Sequence, residues 1–340
     1  MQYKSGYAMT LLLLLTGCGG GSDSSDTDTG TTQLSLAISD APVDSAQQVC
    51  IAVSGINLNS QTGWGPLALL NTTNNDGCLP DGYAIPTDAN GNPNFFYIDL
   101  LKYQNGAKHA LLSGAVIPSG TYEQLRLQVE DGQTSYLDVT TGSDSKYPAS
   151  YVKDVDDTIR PLEVPSSEVK LHGFPAPVSG VLHYQIEFNL RHAMVLPGNE
   201  NYYKLKPNGV KLLGVDALGT ISGTVTASDT TCSADALNAG SAGVYLYNAD
   251  ADLNNLQGID YDTAHNGPVL SGMVSDPDAN GTYTYQINYV EANSYKLALV
   301  CNAASDELTE APNSSGYALE VADPAKDVTV PAGTTVIADF

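Results

Sequence analysis

The chain has 340 residues, and its 38 acidic side chains outnumber 14 basic ones for a formal charge of −24. A negative excess of that size repels nucleic-acid phosphates and anionic lipid headgroups alike, which sets nucleic-acid binding aside. Twenty tyrosines against five phenylalanines and one tryptophan suit an exported β protein, whose rings cover sheet faces with the hydroxyl in water; the same chemistry suits contact with a glycan or peptide.

Residues 1–17 read as a signal peptide. Lys4 precedes an apolar run from Tyr7 to Leu15, which is well short of the roughly 20 residues needed to span a bilayer. Residues 18–32, from Cys18 through a Gly, Ser, Asp and Thr run, cannot bury a core and read as a flexible tether with a reach of about 20 Å. After it, Gln33 to Ser39 places Leu34, Leu36 and Ile38 on one face of a strand that stops at Asp40-Ala41-Pro42. Val49 to Leu58 continues as a second strand, and Asn71 to Pro93, rich in Asn, Asp and Gly, reads as a long loop. Phe95 to Leu101 is apolar enough for a buried strand or a short helix. Gly120-Thr121-Tyr122 leads into a run whose Leu125, Leu127 and Val129 share a face. Leu182, Tyr184, Ile186 and Phe188 alternate with polar residues, Asn189 to Val195 fits one helical turn, and Tyr202 to Leu213 reads as the last strand of this unit.

A boundary falls near Gly214 to Gly219. Strands are then expected at Thr220–Val225, Val244–Tyr247, Tyr283–Ile287, Tyr295–Val300 and Thr334–Phe340. Short alternating runs between Gly, Asn, Asp and Pro clusters indicate an all-β chain of two consecutive β-sandwiches, residues 33–214 and 219–340. Setting Cys18 aside leaves Cys50, Cys78, Cys232 and Cys301, which allow three pairings. Only Cys50–Cys78 with Cys232–Cys301 keeps each bridge inside one unit, and an oxidising compartment lets such bridges persist. The alternative is four buried free thiols.

Several stretches resemble known families. Leu15-Thr16-Gly17-Cys18 resembles the bacterial lipobox, which implies lipid on the Cys18 thiol and cleavage just before it; an ordinary signal with an incidental cysteine is the alternative. Gly19 stands where inner-membrane lipoproteins carry Asp, so the resemblance implies the outer membrane. Leu34 to Asp44, Ile117 to Leu127, Val164-Pro165-Ser166 and Tyr203 to Pro207 resemble the family described as domain of unknown function 4382, over about residues 33–214. That family occurs in bacterial lipoproteins and carries no established activity; Phe188 to Ala193 departs from its pattern. Ile221 to Val225, Asp278 to Tyr283 and Tyr295 to Ala298 resemble the prealbumin-like sandwiches of carboxypeptidase regulatory-like and CnaB-type modules. Some of these form a Lys–Asn crosslink from an early strand, but the corresponding strand here has no Lys, so no crosslink is expected.

Asp276, Asp278 and Asn280, followed by Gly281, have the spacing of a calcium loop, in which alternating oxygens converge on one ion. The twelfth position is Ile287 instead of a bidentate Glu, and any β-turn selects the same residues. Asp250, Asp252, Asn254, Asp260 and Asp262 offer further oxygens. Asp154, Asp156 and Asp157 read as a solvated loop between Lys153 and Arg160. His183 and Glu187 share a strand face, with His172 and His192 near in sequence, either as an acid/base or metal site or as isolated solvent-facing groups. No G-x-S-x-G elbow, phosphate-binding glycine loop or H-E-x-x-H zinc motif occurs, so nothing marks an enzyme. The expectation is a non-enzymatic binding or scaffold lipoprotein with no required cofactor, calcium aside. Its partners would be the membrane, through lipid, and a glycan, peptide or envelope protein. The alternatives are a ligand-free stalk and a hydrolase with a loop-built acidic site.

Overall fold

The computed structural model describes residues 30–41, 46–60, 63–69, 75–104, 106–141, 146–227, 230–238, 240–275, 277–278, 282–309, 311, 313–322 and 325–340. Cys18, Asp276 and Asn280 therefore lie outside the described residues. The chain is all-β. Its first sandwich faces a four-stranded sheet against a nine-stranded one. The smaller sheet runs β15 (Val210–Gly214), β12 (Val181–Asn189), β1 (Thr31–Ala41), β6 (His109–Pro118). The larger runs β11 (Glu168–Ala176), β7 (Gly120–Val129), β2 (Ala46–Ser60), β9 (Tyr151–Asp154), β10 (Ile159–Glu163), β14 (Tyr203–Leu205), β13 (Met194–Val195). Both β3 (Gly63–Leu67) and β5 (Phe96–Asp99) pair with β2, and β4 (Tyr83–Ala84) pairs with β8 (Asp138–Val139) outside both sheets. Leu34, Leu36 and Ile38 of β1 meet Ile51, Val53, Leu125 and Leu127 across the core, as period-two alternation requires.

The central strand β2 is buried on both faces, which explains its unbroken run Val49-Cys50-Ile51-Ala52-Val53. Val49, Ile51 and Val53 enter the main core, whereas Cys50 and Ala52 point outward into a second cluster with Cys78, Phe95, Tyr97 and Tyr151. The loop before β5 supplies that cover, pinned by the Cys50–Cys78 disulfide and by the Tyr151 hydroxyl donating to the Cys78 carbonyl at 2.8 Å.

The second sandwich repeats this plan. One sheet is β19 (Tyr283–Glu291), β16 (Leu218–Val225), β22 (Thr335–Ile337); the other is β18 (Leu270–Met273), β17 (Gly243–Asn248), β20 (Asn293–Val300), β21 (Lys326–Val330). Ile221, Tyr285 and Ile287 meet Val244, Leu246, Leu297 and Leu299 inside. Tyr245, Tyr247, Ala298 and Val300 face outward into a further cluster with Ile259 and Ala303. The Cys232–Cys301 disulfide joins the end of β20 to the segment before the short helix α2 (Ala234–Asn238).

Three expectations change. Tyr202–Leu213 is not one strand, because Pro207 has no N–H to donate; the chain turns over Pro207–Gly209 and passes from β14 in the larger sheet to β15 in the smaller. Phe95–Leu101 divides into β5 and a 3-10 turn at Leu100–Tyr103, begun by Asp99, whose carboxylate accepts from the Leu101 N–H. The final strand is regular only over Thr335–Ile337, yet its pairing with β16 continues to Phe340, the Ala338 and Phe340 N–H groups donating to the carbonyls of Ser222 and Thr224.

Candidate ligand cleft between the two sandwiches

The outward face of β12 carries His183, Gln185, Glu187 and Asn189, a polar alternation that ordinarily faces water. Here only its first part does. His183 is exposed, with Nδ1 3.6 Å from Asp216, while Gln185, Glu187, Asn189 and the neighbouring Ser39 of β1 are buried. Glu187 Oε2 accepts from the Ser39 hydroxyl and, at 3.4 Å, from Gln185 Nε2. Burial pushes the Glu187 carboxyl up to about 7 against those bonds. Tyr289 of the second sandwich lies against Gln185, Glu187 and Ser39.

Local backbone geometry brings Tyr289 there. Gly219 of β16 pairs with Val290 and Ile221 with Ile287, so β19 holds one residue more than its partner, a β-bulge that redirects the side chain. Within the bulge Tyr289 adopts φ of 59°, a conformation uncommon for an aromatic residue.

Beyond β12 comes α1 (Leu190–Ala193), a single turn that enters the second sandwich. The Arg191 guanidinium is buried and donates to the carbonyls of Ala303 and Asp306. It also lies against Met273 Sδ and the Tyr245 hydroxyl. Tyr245 in turn donates to Asp306 Oδ2 at 2.9 Å, and the Ile259 N–H donates to the same oxygen at 2.8 Å. Lys206 Nζ adds a bond to the Thr309 carbonyl at 2.6 Å. The outward face of β17 is thus closed by a cation from the other sandwich.

A cavity lies on either side of α1. One of about 480 Å³ is lined by Asp154, Arg160, Met194, Leu196, Tyr203, Asp306, Glu307 and Leu308 among others. The other, about 330 Å³, is lined by Glu187, Asn189, His192, Asn208, Lys211 and Leu213 on one side and by Tyr261, Pro268, Val269, Leu270, Tyr289 and Tyr295 on the other. This second cavity joins aromatic and aliphatic walls to a few polar groups at a sandwich junction, the usual make-up of a small-molecule site. Asn189 and His192 line it, but Asn189 Oδ1 and His192 Nε2 are closed off from solvent, with no hydrogen-bond partner among the described residues. Burial, followed by the cations Arg191 and Lys211, brings the His192 pKa down to about 4, so the ring is neutral.

Of the sequence candidates, the structure gathers Glu187 and His192 at this cavity, but not His183 or His172. His172 Nε2 sits 2.7 Å from the Leu212 carbonyl, on the link from β11 to β15. Asp154 departs from the solvated-loop expectation: it is buried, and its carboxylate accepts from the N–H groups of Asp156 and Thr158 and from Arg160 Nε, folding the turn around itself. Asp260 is likewise buried and accepts from Thr309, Ser314 and Ser315. Asp278 closes the β18–β19 connection by exchanging bonds with Thr282, while Asp252 and Asp262 hold local turns with Asn254 and His265. Among the described residues no three His, Cys, Asp or Glu side chains are grouped to hold a metal ion. Nor, among them, is any helix long and apolar enough to cross a membrane. Sequence reasoning missed Arg191, Tyr289, Asn189 and Lys211; Glu187, His192 and the departure of Phe188–Ala193 from the family pattern were the signals pointing to this region.

No curated protein sequence matches the chain. Among solved structures it is similar to the TIE protein of Bacillus anthracis, at 11% identity and a TM-score of 0.15, covering 91% of this chain but 33% of that one. It spans a third of that relative's length. It is also similar to GBS52, the minor pilin of Streptococcus agalactiae, at 9% identity and a TM-score of 0.17, covering 90% of this chain and 94% of the other. A variant of BcpA, the major pilin subunit of Bacillus cereus, gives 8% identity and a TM-score of 0.19 over 91% of this chain and 69% of that one. At these values the superpositions establish no common chain path. The model of the family described as Domain of unknown function (DUF4382) matches residues 31–207, more than half of the 340, and the chain belongs to that family.

Proposed function

We propose that this protein is a non-enzymatic binding module of the bacterial envelope, held to the outer membrane by lipid on Cys18, and that its ligand seats in the tyrosine-lined cavity between the sandwiches. The observation that carries this reading is the junction cavity itself, with Tyr261, Tyr289 and Tyr295 on one side and Asn189, His192, Asn208 and Lys211 on the other. The acid and base in the cavity are not set against each other: Glu187 is engaged by Ser39 and Gln185, and burial keeps His192 neutral. A rigid stalk is the second reading, favoured by the Arg191 and Lys206 ties that fix the sandwiches to each other.

Thermal-shift titration of the protein and of Tyr289→Ala against saccharides and peptides tests the cavity. A saturable shift that Tyr289→Ala abolishes supports binding, whereas no shift from any ligand favours the stalk. Membrane fractionation of Cys18→Ser tests the anchor. Release into the soluble fraction is expected, and retention in the membrane would refute lipid attachment there.

A further inference from the structure

We propose that the end of the first sandwich nearest Gly30 rests on the surface of a phospholipid bilayer. The proposal rests on the lipid anchor at Cys18 and on no part of the cavity reading. Sheet register defines this end. Thr31 of β1 pairs with Pro118 at the close of β6, and Gln33 pairs with Val181 at the start of β12. Ser60 at the close of β2 pairs with Gly63 of β3 and with Tyr122 near the start of β7. The β6–β7 and β11–β12 turns gather beside Gly30: the Ser119 N–H donates to the Gly30 carbonyl and the Ser179 N–H to the Thr31 carbonyl, both at 2.8 Å. Contacts with the second sandwich lie farther along β12 and beyond it, at Gln185, Glu187 and Arg191.

This end carries no charge. Residues 29–39, 45–75, 110–122 and 173–182 contain no Asp, Glu, Lys, Arg or His, in a chain of formal charge −24. The next ionisable residues along β7 and β12 are Glu123 and His183. The end is also apolar where it meets solvent. Val116 is 66% exposed, and Val178 and Val181 are each 57% exposed. Val116 and Val181 flank Gln33 across β1, and Val178 covers Gly30, where a Cβ would fall 2.4 Å from Val178 Cγ1. Exposed valines scattered singly are ordinary; three around one uncharged end form a patch.

Charge and reach select the occupant. Anionic headgroups repel the acidic body at short range but meet no charge here to repel. Gly30 stands 12 positions after Cys18, and a Gly/Ser-rich chain of that length reaches about 20 Å. Lipid on Cys18 therefore holds this end within touching distance of the bilayer. Three valines bury too little area to hold a free protein on a membrane. The tether supplies the local concentration at which so weak a contact persists.

The chain's one tryptophan, Trp64, lies in β3 opposite Asn59, at this same end, and reports contact without a label. The lipid-attached protein is reconstituted into vesicles of phosphatidylethanolamine and phosphatidylglycerol that include phosphatidylcholine brominated in the upper acyl chain. Quenching of Trp64 by the bromine is the expected result. The triple variant Val116→Asp, Val178→Asp, Val181→Asp should lose that quenching while keeping its melting temperature and its place in the vesicle fraction; Val178→Asp alone is read if the triple variant melts early. Val155→Asp, at an exposed valine next to β9, which pairs with the far end of β2, should leave the quenching as in the native protein. Absence of quenching in vesicle-bound native protein overturns the proposal and leaves the anchor standing, as does quenching that survives the aspartates. Native protein that fails to float with the vesicles overturns the anchor itself. An unquenched native protein that sediments as a dimer, dissociated by the same aspartates, assigns the patch to a second copy of the chain and overturns the bilayer.

Discussion

Glu187 and His192 lie at the two ends of the same buried corner and titrate in opposite senses. The native Glu187 carboxyl sits near 7 against an ordinary 4.5, so between those pH values the folded protein holds a proton that the unfolded chain has lost. Its contribution is complete below 4.5 and is lost as pH rises through 7, a change on the order of 3 kcal/mol. His192 sits near 4 against an ordinary 6.5, so the unfolded chain takes up a proton first and stability falls as pH drops from 6.5 toward 4. The two effects oppose each other between about 4.5 and 6.5. Glu187→Gln keeps an acceptor for Ser39 and removes one of them. The stability difference between Glu187→Gln and the native protein should therefore grow in favour of the variant by about 3 kcal/mol from pH 4.5 to pH 7.5. Chemical denaturation at several pH values measures it, and a difference independent of pH would show that Glu187 is not buried at the junction.

At the scale of the element, both sandwiches solve one problem in the same way. A central strand reading Val-Cys-Ile-Ala-Val or Val-Tyr-Leu-Tyr has no polar face, so a second layer of loop must cover its outer side. The Cys50–Cys78 disulfide holds the cover of the first, whereas Cys232–Cys301 packs with the inner core of the second. Closing loops of 28 and 69 residues, each is worth about 4 kcal/mol by chain entropy. Replacing Cys50 and Cys78 by Ala should cost about that much and release the loop before β5 to hydrogen exchange ahead of β1 and β12. Simultaneous exchange of all three would place the bridge inside the main cooperative unit. Gly209 makes a separate case. A Cβ there would lie 2.5 Å from Ala193 backbone atoms, so Gly209→Ala should push α1 away and disturb the cavity; loss of ligand response with little change at the disulfides would be its signature.

These elements also mark what the sequence made legible. Leu34-Leu36-Ile38 and Leu125-Leu127-Val129 revealed their strands because one face of each is wet or polar, and period-two alternation records that. The same rule misread Gln185, Glu187 and Asn189. Their alternation is that of a solvent face, and what removes the solvent is a bulge near position 289, about a hundred residues away in sequence. Asp154 and Asp260 misled differently, because a carboxylate that organises a turn from inside has the same local sequence as one dissolved in water. Arg191 left only the departure of its segment from the family pattern.

The whole molecule turns on that arginine. Two sandwiches with separate cores would ordinarily unfold as separate units. Here the guanidinium of the first is the plug of the second, holding the carbonyls of Ala303 and Asp306 beside the Tyr245–Asp306 bond. Withdrawing it leaves buried acceptors without a donor, at a cost of about 3 kcal/mol, so neither sandwich can loosen here without cost to the other. Arg191→Met keeps most of the volume and removes the hydrogen bonds. Scanning calorimetry should show one transition for the native protein and two for the variant, the second sandwich melting first because its outer cluster is the one opened. Retention of a single transition would mean that the coupling runs through Glu187, Ser39 and Tyr289 instead, and Tyr289→Ala would then be the variant that separates the transitions. In either event the cavity needs both sandwiches, since its tyrosines stand on one and its polar floor on the other. A variant that uncouples them should lose ligand response even with every lining residue in place.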